Sequence, residues 1–152
     1  MEEAKDLKKE EDNARLLAGL CYVPVMLVNL IAILYVLLAN KGGKYARFHA
    51  VQALFFLIAY AVVIQLIMIP GYAGMVGIFD KMSKMSGTGG GASFEGTEFM
   101  EAWTGMMLVT IPAMLLGLVF LVVSIYLAVK VASGTDIRIP FIGDIAGRFV
   151  SG

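Results

Sequence analysis

Three stretches of this chain carry no ionisable side chain, and their lengths limit what it can become. Leu16–Ala39 runs for 24 residues, Val51–Ile69 for 19 and Gly105–Val129 for 25. About 20 apolar residues, at a helical rise of 1.5 Å each, match a hydrocarbon core roughly 30 Å thick. Inside lipid every backbone N–H and C=O needs a partner within the chain, so runs of this kind must be helical. Apolar and polar residues do not alternate with period two, which excludes a transmembrane barrel. The expected fold class is an all-α integral membrane protein. It has three transmembrane helices, at 16–39, 45–69 and 103–132, and amphipathic interfacial segments, all in a single membrane domain over 1–152.

Composition agrees. Apolar residues make up 59% of the chain and the mean hydropathy is +0.82, whereas soluble domains are about 45–50% apolar. Twelve Lys and Arg balance twelve Asp and Glu, so the basic excess of a nucleic-acid binder is missing. The single cysteine, Cys21, has no disulfide partner within the chain. Residues 1–15 form a charged tail with Glu2, Glu3, Asp6, Glu10, Glu11 and Asp12. Those acids, and the length of the run behind them, argue against a signal peptide. Glu11 and Arg15 have the i,i+4 spacing of a helical ion pair.

The connections carry further signals. Asn40-Lys41-Gly42-Gly43-Lys44 is short and predicts an antiparallel helical hairpin, with Tyr45 and Phe48 near the headgroups. Residues 70–102 read as a long loop. Met75, Ile78, Phe79, Met82 and Met85 share one helical face suited to the membrane surface, and the glycines of 87–91 predict flexibility. Glu98 and Glu101 suit the first turn of the third helix, Trp103 an interface and Pro112 a kink. Gly134 reads as a C-cap. Pro140 predicts the start of a short interfacial helix in the 135–152 tail, with Ile142, Ile145 and Phe149 on one face. Orientation stays open, because the two sides share the cations six against six; the short, acid-free first loop favours a cytoplasmic position for that loop and the tail.

Candidate sites are few. Polar residues within the runs are the first suspects. Asn29 and Gln52 lie at matching depths and predict an interhelical contact across the hairpin. Lys41, Lys44 and Arg47 form a cationic patch at the membrane boundary, and His49 and Gln52 follow on one face a turn deeper. Together these five are the candidate site for lipid headgroups or a partner. One His and one distant Cys do not make a metal site, and no Ser or Cys has a His and an acid arranged to activate it. No catalytic residue, metal or cofactor is expected.

The segment Tyr45-Ala46-Arg47-Phe48-His49-Ala50-Val51-Gln52-Ala53-Leu54 resembles the R-F-H-A-x-Q-A hallmark of small prokaryotic membrane proteins of unknown function. That group is distantly similar to the membrane subunit of the chloroplast Tic translocon. Leu17-Ala18-Gly19-Leu20-Cys21-Tyr22-Val23-Pro24 is similar to the family's first-span opening, and Ile139-Pro140-Phe141-Ile142-Gly143-Asp144-Ile145-Ala146 to its C-terminal signature. The chloroplast protein has four spans, and here no fourth apolar run lies between Ile69 and Trp103. The resemblance implies no catalytic assignment.

The expected function is that of a small multi-pass protein of the cell membrane without enzymatic activity, a subunit of a transport, channel or translocation assembly. The alternative is a structural or regulatory protein that binds lipids or partner helices. Partners are then the lipid bilayer and further copies of the chain or another membrane protein.

Overall fold

The computed structural model describes residues 2–39, 42–87 and 96–151, and within them every regular element is a helix. These are α1 (Glu2–Leu20), α2 (Met26–Leu38), α3 (Gly43–Gly87), α4 (Gly96–Ala132) and α5 (Ile142–Ser151).

The first apolar run departs from expectation. It is not one helix but the end of α1, a break over 21–25, and the 13-residue α2. Pro24 is the cause. It cannot donate to the carbonyl of Leu20, its ring clashes there, and it drives Val23 towards extended backbone. Helix α1 therefore closes in tight turns, Tyr22 N–H to Gly19 O at 3.0 Å and Val23 N–H to Leu20 O at 3.2 Å. Helix α2 restarts after an extended Val25 that offers no side-chain cap. Thirteen residues reach only about 20 Å, short of a bilayer core. Among the described residues two helical stretches are long and apolar enough to cross a membrane, Gly43–Asp80 and Trp103–Ala132.

The second departure is at 70–87, expected to be a loop and found inside α3. Pro70 removes one backbone bond but leaves the helix running. Met75, Val76 and Phe79 are exposed along it. The side chains of Met82 and Met85 and the residues 88–91 lie outside the described set. Helix α4 begins at Gly96, so Glu98 does fall in its first turn.

The chain divides into two compact units, Met1–Tyr60 with Val119–Gly152, and Ala61–Leu118. The first holds the core: Ala18, Cys21, Tyr22, Ile33, Val36, Ala46, Ala50, Ala53, Leu127 and Val131 are buried. Small residues let its helices approach closely, as in membrane bundles. A Cβ on Gly19 would lie 2.8 Å from Ala132 Cβ and 2.9 Å from the carbonyl of Ala128. Tyr60 stacks on Phe120 with ring centres 3.9 Å apart. The second unit pairs the later part of α3 with the earlier part of α4. There Gly71 sits against Val109, whose nearest methyl would be 3.3 Å from an added Cβ.

Large apolar side chains face outward in both units, among them Leu27 at 73% and Leu38 at 81% exposure in the first and Leu108 at 70% in the second. Patches of this kind are costly in water and ordinary in lipid.

Candidate functional site

The hallmark at the start of α3 winds one face of that helix into the core of the first unit. Ala46, His49, Ala50 and Ala53 recur at three- and four-residue intervals, and all are buried, as is Gln52. The alanines let the neighbouring backbone come close, and His49 and Gln52 then have to find partners inside the protein.

Gln52 finds four. Its Nε2 donates to Tyr22 Oη at 2.9 Å and to the Ile137 carbonyl at 3.1 Å, and its Oε1 accepts the Ile139 N–H at 3.4 Å. Gly143 completes the fit, since a Cβ there would stand 3.1 Å from Gln52 Oε1. One amide thus satisfies two backbone groups of the irregular 135–139 connection that leads into α5. Tyr45 ties down the same connection further up. Its hydroxyl lies 3.0 Å from the Val131 carbonyl and 3.4 Å from that of Thr135.

His49 is enclosed by aromatic rings: Tyr45 at 4.6 Å, Phe48 at 5.2 Å and Tyr22 at 6.1 Å between centroids. Its Nδ1 is 3.5 Å from Tyr22 Oη. That hydroxyl accepts from Gln52 and still has a proton and a second lone pair, so it can serve either tautomer of the ring. Nε2 is buried and has no hydrogen-bond partner. The facing carboxylate oxygen, Asp136 Oδ1, is 3.9 Å away, beyond hydrogen-bond range.

Helix α4 ends in a left-handed turn at Gly134, with φ +81°. Gly134 N–H bonds to Val131 O and Thr135 N–H to Lys130 O, the paired closure that a glycine at this position permits. The expected C-cap is therefore present. The Arg15 guanidinium packs on it: its Nε would be 2.8 Å from a Cβ at Gly134. Arg15 also pairs with Glu11, one turn earlier.

The residues singled out from sequence separate. The Asn29–Gln52 contact is not made. Gln52 is taken up by Tyr22 and the 137–139 backbone, and the buried Asn29 Oδ1 has no partner. Matching depth along two helices does not guarantee that two side chains face each other. His49 and Gln52 do share a face of α3, but they are sealed inside and are not open to a docking molecule. Lys44 is exposed and Arg47 half-buried; Lys41 lies outside the described residues.

A cavity of about 600 Å³ opens beside this network, lined in part by Arg15, Lys44, Tyr45, Phe48, Asp136 and Arg138. Arg138 stands over the Phe48 ring, 5.5 Å from its centroid. Arg15, Asp136, Arg138 and Tyr22 were not candidates from sequence. Arg15 directly precedes a charge-free run, which was a usable sign; the others carry no local pattern. Among the described residues no three His, Cys, Asp or Glu side chains gather as metal ligands would.

Residues 13–149 match the model of the magnetosome magnetite crystal formation protein family, MamF/MmsF. No curated protein and no solved structure matches the chain. The match does not bear on the translocon subunit that the hallmark resembles.

Proposed function

The chain belongs to the magnetosome magnetite crystal formation protein family, and from that premise we propose that it is a multi-pass, non-enzymatic membrane protein with a structural part in forming the crystal-bearing compartment. It holds lipids or partner helices in place and is not a conduit. One observation carries this reading: the Gln52 amide and the Tyr45 hydroxyl are spent on holding the end of α4 and the 135–139 connection against α3. A transporter or channel subunit would use buried polar side chains to line a path. Here Gln52 is taken up by Tyr22 and the protein's own backbone. The outward apolar faces of α2 and α4 suit contact with lipid tails or neighbouring helices.

The test is complementation in a magnetite-forming bacterium that lacks its own family member. The chain should restore crystal size and number by electron microscopy and stay with membranes after an alkaline wash. Unchanged crystals despite membrane insertion would remove the crystal-forming role. Solute flux into liposomes holding the purified protein would restore the transport reading.

A further inference from the structure

We propose that the cavity beside the hallmark binds a phosphate group, as the headgroup of an anionic membrane lipid presents it. The placement of its cations is the first argument. Arg15 is the residue before the charge-free run that starts at Leu16, Lys44 lies seven residues before the run that starts at Val51, and Arg138 lies nine after the run that ends at Val129. All three lie within nine residues of the end of an apolar stretch, near the level where headgroups lie. The fold brings all three to one cavity of about 600 Å³.

The second argument is how the cations are held. Phe48 steadies the Arg138 guanidinium from below, and the Gly134 backbone backs that of Arg15. Planar guanidinium groups held in place suit the oxygens of a phosphate, and a lysine adds a point charge. The opposing charges are Glu11, Asp136 and Asp12, the last 3.9 Å from the Arg15 guanidinium. Glu11 is already engaged by Arg15, and Asp136 stands 3.9 Å from both Arg138 Nε and His49 Nε2. Lys44 has no ion pair among the described residues and supplies the uncompensated charge. Tyr45 and Phe48 add the aromatic surface that settles at the headgroup level. The candidate site expected from sequence is thereby redrawn. Lys44 stays, Arg15 and Arg138 join it, Arg47 does not line the cavity, and His49 and Gln52 support it from inside.

The inference needs only that the chain is inserted in a membrane, not that it serves crystal formation, so the two can fail separately. The test uses the full chain purified in a neutral detergent, with thermal unfolding read against added dioctanoyl phosphatidylglycerol, dioctanoyl phosphatidylcholine or sodium phosphate. Phosphatidylglycerol should raise the midpoint saturably, and phosphatidylcholine should do so far less. Lys44→Gln should weaken the apparent affinity about fivefold, equivalent to about 1 kcal/mol, and Lys44→Gln with Arg138→Gln should abolish the effect. Lys44→Arg should keep it. Lys5→Gln, which removes one charge ten residues earlier on α1, should leave it unchanged. If sodium phosphate protects as well as the lipid, with the same loss in the variants, the site is confirmed and its ligand is free phosphate. The proposal is overturned if neither probe shifts the midpoint, if phosphatidylcholine matches phosphatidylglycerol, or if Lys5→Gln weakens binding as much as Lys44→Gln.

Discussion

The two units are made from the same kind of apolar helix but specified differently. In the first, backbone approaches are tight and polar bonds join residues more than 80 positions apart: Gln52 to Ile137, and Tyr45 to Val131. In the second, Gly74, Gly77 and Gly105 have open space where a Cβ would go, while Gly71 meets Val109. Lipid provides no hydrophobic drive to pull one apolar helix onto another. A unit that must keep one arrangement therefore needs steric fit and hydrogen bonds, as the first has. The second needs only to stay apolar and helical.

This contrast can be tested by substitution in purified protein, with unfolding free energies measured in detergent. The largest loss should come from Gly19→Leu, about 3 kcal/mol, because the new side chain overlaps Ala132 and the Ala128 carbonyl. Gly134→Val should cost about 2 kcal/mol. It forces a β-branched residue to a left-handed φ and displaces the Arg15 guanidinium. Gln52→Leu should cost about 1.5 kcal/mol, since it strands the Ile137 carbonyl and the Ile139 N–H. The same variant should expose the 135–139 connection to protease, and an unchanged digestion pattern would mean that Gln52 does not hold the arm.

In the second unit the sign reverses. Gly74→Ala should stabilise by about 0.5 kcal/mol, as a helix-interior glycine gains a side chain that meets nothing. A loss as large as that of Gly19→Leu would show the second unit to be as tightly fitted as the first. The smallest effect is expected for Asn29→Leu, within about 0.5 kcal/mol of neutral. Its Oδ1 is already buried without a partner, so leucine removes a cost along with a polar group.

Much of this was legible in the residues. The charge-free runs place the apolar helices at 51–69 and 105–129, and the Glu11–Arg15 spacing and the Gly134 cap are local patterns that formed as read. Two local signals were available but outweighed. Pro24 sits inside a long apolar run and still divides it, because a missing donor and a ring clash act whatever the hydropathy of the neighbours. Pro70, with three glycines close behind, suggested an end to α3, yet the helix continues to Gly87.

The sequence by itself determined the class of the protein: an uncharged run longer than a bilayer is thick can satisfy its backbone only as a helix. It also marked Lys44 as a cation near the boundary, and Arg15 directly precedes a charge-free run. Only the tertiary structure decided which cations meet in one cavity, and that His49 and Gln52 face inward to Tyr22 and the 136–139 connection. Helical periodicity states which residues share a face of α3. The partner across that face comes from segments 30 positions earlier and more than 80 later, and its choice rests on packing that no local pattern encodes.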